Sequence, residues 1–188
     1  MHFIHRGMVG MLLAMIMSLP TSAVAANNFP AEQKFAGYSM SLNGKGIRTK
    51  LFFNLYTAGL YLQKPSNDAN AILNGTMPLA LRMEITSAMI TSETMESAVR
   101  DGFKQSASAQ LANLQPRIEQ LIKIFKEKIN KGDIYDFIYK PQSVIVQKNG
   151  KSAGTIQGAD FMKAFYAIWL GDKPVQPNLK DQLLGKAQ

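Results

Sequence analysis

The chain has 188 residues, no cysteine and only two histidines, His2 and His5, so disulfides and thiol-ligated iron–sulfur clusters are excluded. Hydrophobic residues make up 46% and charged residues 18%, which excludes a disordered chain and fits a globular one. The net charge of +8 raises nucleic acid or an anionic surface as partners. The basic residues are dispersed, however, and the densest set (Arg117, Lys123, Lys126, Lys128, Lys131) follows a helical spacing that reads as a solvated face. No nucleic-acid-binding signature accompanies it, so no nucleic-acid partner is expected.

The first element in chain order is an export signal. Arg6 supplies a positive n-region, Met8 to Leu19 form an apolar run, Pro20 breaks it, and Ala23-Val24-Ala25 offers small residues to a signal peptidase. The run is shorter than the about 20 residues needed to span a bilayer. The expectation is a signal peptide over residues 1–25 and a periplasmic protein forming one domain over residues 26–188. Cleavage would remove both histidines. The remaining chain could then build no Ser-His-Asp triad, cysteine nucleophile or histidine-ligated zinc, and no cofactor is expected.

Phe35 to Met40 and Ile47 to Leu62 are rich in aromatic and branched residues and read as strands. Between them Asn43-Gly44 has the composition of a tight turn. Asp68 to Leu73 reads as a short helix closed by Asn74-Gly75. Leu79 to Thr86 alternates apolar and polar residues as a half-buried strand does, which places Arg82 and Glu84 on its outer face. Thr91 is an N-cap for a helical region running to about Asn130, with a break or kink expected at Pro116. Ile134 to Tyr139, Ser143 to Val146 and Ala153 to Gln157 are strands, the last two joined by a hairpin turn at Asn149-Gly150. Phe161, Ala164, Phe165, Ile168 and Trp169 recur at helical spacing on one face, and Gly171 ends that helix. Strands, then helices, then strands, then a helix predict an α+β domain whose mainly antiparallel sheet is covered by a helical layer.

Gly44-Lys45-Gly46-Ile47-Arg48 followed by Leu55-Tyr56-Thr57-Ala58-Gly59-Leu60-Tyr61-Leu62 resembles the N-terminal signature of the chalcone isomerase-like family. The segment from Ala167 to Val175, with Leu179-Lys180, resembles that family's C-terminal helix, loop and tail, and the Asn149-Gly150 hairpin fits its penultimate strands. The likeness covers residues 30–185. It implies an open-faced β-sandwich and one of two activities: ring closure of chalcones in the plant enzymes, or fatty-acid binding in non-catalytic members.

Arg48 stands where the family carries its functional arginine, which orients a phenolate in the enzymes and pairs with a carboxylate in the binders. Tyr56 lies where the enzymes carry a threonine and the fatty-acid binders a tyrosine. The enzymes' further tyrosine and asparagine come from the helical region, where residues 91–130 hold no tyrosine and Asn113 has no secure alignment. Their later threonine falls near Ile168. The resemblance therefore implies binding of a small amphipathic acid, such as a fatty acid, at Arg48 and Tyr56. An isomerase or lyase acting on a chalcone-like unsaturated ketone is one alternative, and a module that docks an envelope protein partner is another.

The residues taken alone leave Arg48 open to a second reading, as a strand arginine facing solvent or paired with a carboxylate. On an uninterrupted strand the eight residues from Arg48 to Tyr56 span about 26 Å. A shared site thus requires a turn, bulge or curl between Thr49 and Asn54. Met83, Met89 and Met95 could wall an acyl chain or simply fill the core. Tyr61, Phe161, Phe165 and Trp169 read as core.

Overall fold

A computed structural model describes residues 27–186 of the protein. The expected export signal and its expected cleavage point after Ala25 lie outside the described residues. Seven strands form one antiparallel meander in the order of the chain: β1 (Glu32–Phe35), β2 (Tyr38–Lys50), β3 (Phe53–Leu62), β4 (Leu79–Ile85), β5 (Ile134–Lys140), β6 (Ser143–Lys148) and β7 (Lys151–Gln157). Helix α1 (Ala69–Asn74) joins β3 to β4, and α2 (Ser92–Ser106) and α3 (Leu111–Ile124) join β4 to β5. Helices α4 (Ala159–Leu170) and α5 (Pro177–Leu183) follow the sheet. This is the α+β arrangement expected, an antiparallel sheet with a helical layer.

The main core lies between sheet and helices. The periodic face of α4 buries Phe161, Phe165, Ile168 and Trp169, and Phe165 meets Phe137 of β5 with ring centroids 5.0 Å apart. The Tyr166 hydroxyl, fully buried, donates to the Phe137 carbonyl at 2.8 Å, so its polar end costs nothing unsatisfied. Asn149 and Gly150 both take positive φ (51° and 76°), the type I′ geometry expected of that pair. The Asn149 side chain accepts from the Ile134 amide at 2.8 Å and donates to Asp133 at 2.9 Å, which ties the turn to the start of β5.

Four local expectations are corrected. First, Asn43-Gly44 is not a turn: β2 runs straight through it, and Asn43 is the extra residue of a bulge between Leu42 and Gly44. Its amide donates to the carbonyls of Ser66 and Leu183, both at 2.9 Å, and accepts from the Ser66 amide at 2.9 Å. The glycines serve close approach by α5. A Cβ on Gly44 would sit 2.7 Å from the Leu183 carbonyl oxygen, and one on Gly46 would sit 2.9 Å from Gln182 Cβ. Gly44→Ala should therefore push the α5 backbone outward and cost about 1–3 kcal/mol, read as a lower denaturant midpoint at unchanged m-value.

Second, the actual turns fall inside the two expected strands. Ala36-Gly37 (φ 46° and 94°) separates β1 from β2, and Leu51-Phe52 (φ 47° and 70°) separates β2 from β3. Leu and Phe have no preference for positive φ, so the register of the long β2–β3 ladder imposes this turn rather than the local sequence.

Third, the helical region breaks at Ala107, nine residues before the place expected, followed by a single 3-10 turn, Ser108–Gln110, and ends at Ile124. The Ser106 hydroxyl donates to the Ala164 carbonyl at 3.0 Å, pinning the end of α2 to α4 while α3 turns back toward β7. Pro116 is carried inside α3 on its exposed side.

Fourth, β4 is covered on both faces, with Ala80 buried and Arg82 and Glu84 half-buried on the outer one. The outer face meets a second, smaller core of Phe29, Phe35, Met40, Tyr61, Ala80 and Ile138, contributed partly by the segment that precedes β2. Arg82, expected outside, is largely covered there in a bidentate pair with Asp136 of β5 (2.7 and 2.9 Å), and its third nitrogen donates to the Asn28 carbonyl at 2.8 Å. Tyr61 is core as expected, on this second face, with its hydroxyl donating to the Pro30 carbonyl at 3.0 Å.

Candidate functional site

The Leu51-Phe52 turn folds β3 back on β2 and makes Arg48 and Tyr56 direct cross-strand partners. Neighbours across an antiparallel ladder project from the same face. Both side chains line one cavity of about 530 Å³ between the β2–β3 hairpin, α2 and α4. A volume in the range of about 300–1,000 Å³ is that of small-molecule sites. Its deep wall is apolar and aromatic, with Met83, Phe125, Phe137, Phe165, Ile168 and Trp169. Met89 and Met95 also face it, so all three methionines considered for an acyl wall are at the cavity. Asn113 is not: it is exposed on α3, where its carbonyl accepts from Arg117.

Tyr56 is almost fully buried, and its hydroxyl accepts from Trp169 Nε1 at 3.0 Å. That bond fixes the ring and leaves the hydroxyl's own proton without a protein acceptor among the described residues. Burial pushes the phenol up to about 12, while the Trp169 bond and the Arg48 charge pull it partly back. The hydroxyl is thus a proton donor throughout the neutral range and not a base. Tyr56→Phe should weaken binding of a carboxylate by about 0.5–1.5 kcal/mol. The affinity of both proteins should stay flat between pH 6 and 9, measured by calorimetric titration in that range.

Arg48 is half-buried and forms no ion pair with any carboxylate among the described residues. Its position is set by neutral groups. One guanidinium nitrogen donates to the Thr49 carbonyl and to Gln176 Oε1, the latter at 3.2 Å. Gln176 Oε1 also accepts from the Thr49 amide at 2.9 Å, and its amide nitrogen donates to the Ile47 carbonyl at 3.3 Å. Gln176, just ahead of α5, is a latch that sequence reasoning missed; only its place before the helix-starting Pro177 hinted at an ordered position. The role of Trp169 as the donor that orients Tyr56 was likewise hidden behind its place in an apolar stripe.

The arrangement puts a full positive charge and a phenolic donor at one end of an apolar slot. That combination can hold an anionic oxygen pair, since Arg presents a planar fork matched to carboxylate. Among the described residues the one carboxylate lining the cavity, Asp101, is exposed on α2. Among the described residues no group of three or more acidic or histidine side chains could hold a metal ion.

No curated protein matches this sequence. Among solved structures, the crystal structure of an Arabidopsis thaliana fatty-acid binding protein is similar, with a TM-score of 0.66 at 15% identity over 83% of this chain and 90% of that one. Likeness at that identity speaks for the fold. The family model described as chalcone isomerase-like matches residues 21–185, spanning the whole sheet and the helices that build the cavity. The chain belongs to the chalcone isomerase-like family.

Proposed function

We propose that the protein binds a small amphipathic carboxylic acid, such as a fatty acid, and performs no chemistry on it. The carboxylate lies against Arg48 and Tyr56, and the tail runs along the methionine and aromatic wall. The observation that carries this reading is Arg48, a cation with no carboxylate partner among the described residues, placed beside the Tyr56 hydroxyl at the polar end of an apolar cavity. Desolvating an unpaired guanidinium is costly unless an anion compensates it. The fatty-acid binding named for the Arabidopsis neighbour supports the same ligand class.

An isomerase reading has less support. Ile168 stands in the wall in place of a hydroxyl, Asn113 is remote, and Tyr56 is held protonated, which leaves Arg48 alone to stabilise a developing anion. The export signal expected over residues 1–25 supports a periplasmic setting for this binding. Two measurements test the proposal: mass analysis of acids extracted from purified protein, and chalcone cyclisation against the spontaneous rate. Bound acid and no turnover are expected. Turnover that disappears in Arg48→Ala would overturn the non-catalytic reading.

A further inference from the structure

The β2–β3 hairpin ends in Leu51, Phe52 and Phe53, which are 76%, 100% and 55% exposed. Leu51 and Phe52 occupy the two positive-φ positions of a two-residue turn, where Asn-Gly is the unstrained choice and bulky side chains are outliers. Neither local conformation nor packing of the fold accounts for large apolar residues there. Such an outlier points to a use outside the folded core. The tip also borders the cavity, because Lys50, Leu51 and Phe53 line it, and Met89, 52% exposed, lines it as well.

The charge of the hairpin is one-sided. From Tyr38 to Leu62 the chain carries Lys45, Arg48 and Lys50 and no acidic residue. Apolar side chains at the tip, with cations set behind them on the strands, match the depth profile of a bilayer interface with anionic headgroups. We propose that the Leu51-Phe52-Phe53 tip docks on an anionic lipid surface, with Lys45 and Lys50 against the headgroups and the cavity mouth facing the bilayer. Exchange of a lipid-derived acid through that mouth rests on the binding reading above; the docking does not.

Because the chain has no cysteine, single labels report the contact site by site, whatever residues 1–26 contribute. An environment-sensitive fluorophore on Phe52→Cys should shift to the blue on phosphatidylglycerol-containing vesicles and be quenched by acyl-chain quenchers. The same label on Asn67→Cys, exposed beyond the other end of β3, should not respond. Lys50→Gln should weaken vesicle partitioning about fivefold, and the response should fall in high salt. Leu51→Asn with Phe52→Gly restores the preferred turn, so that variant should melt no lower than the parent chain yet lose the vesicle-dependent contact.

A silent Phe52→Cys label, or equal responses at positions 52 and 67, overturns the proposal. So does tip burial that depends on protein concentration without vesicles, which would mean a second copy covers it. Binding of palmitate by the parent chain in vesicle-free buffer separates the two readings. If palmitate still binds while docking fails in the parent chain, only the docking is wrong.

Discussion

Asp136→Ala should destabilise the protein by about 3–5 kcal/mol, a large share of the about 5–15 kcal/mol that holds a domain folded. Asp136 and Arg82 are nearly buried on the second face of the sheet, with side-chain exposures of 4% and 12%. The arginine also stacks over Phe35 at 5.2 Å and holds the Asn28 carbonyl. Taking away the carboxylate leaves a guanidinium desolvated among Phe35, Tyr61 and Ala80 with one neutral acceptor. The effect comes from the stranded charge, not from a large net gain by the pair. Replacing both partners, as Arg82→Met with Asp136→Leu, should therefore recover most of the loss. Urea denaturation of the parent chain and the two variants checks this, and a double variant as unstable as Asp136→Ala would refute it.

Arg48→Ala should weaken binding of a carboxylic acid by about 1.5–3 kcal/mol, the scale of a hydrogen bond to a charged group. It should leave stability nearly unchanged, because the side chain's bonds go to a carbonyl and to Gln176 rather than to a buried counter-charge. Arg48→Lys should recover only part of the affinity, since an ammonium cannot present the planar fork. Calorimetric titration with palmitate gives both affinities. Equal affinity in Arg48→Ala and the parent would remove the guanidinium from the site.

What could be read in the sequence was whatever local chemistry decides. Asn149-Gly150 forms the turn its residues prefer, and the stripe from Phe161 to Trp169 packs as its period requires. The same Asn-Gly pair misled at residues 43 and 44, where the demand comes from the Leu183 carbonyl, 140 residues away in sequence. No local signal marks Leu51-Phe52 as a turn, because neither residue favours positive φ. Family resemblance singles out Arg48 and Tyr56 as candidates, yet their meeting across the ladder depends on that hidden turn. Arg82 was misplaced because alternation describes one covered face, and here the segment before β2 covers the other. Gln176 lay beyond any periodic pattern.

The central claim is that Arg48 meets the carboxylate of a bound acid, and the carboxyl carbon itself can report it. With palmitate labelled with carbon-13 at the carboxyl, the bound resonance should stay at its ionised position to lower pH than free acid, because an adjacent cation favours the charged form. In Arg48→Ala the bound resonance should titrate at higher pH than in the parent protein. A bound carboxyl that titrates identically in the two proteins, or no bound resonance at all, would contradict the account.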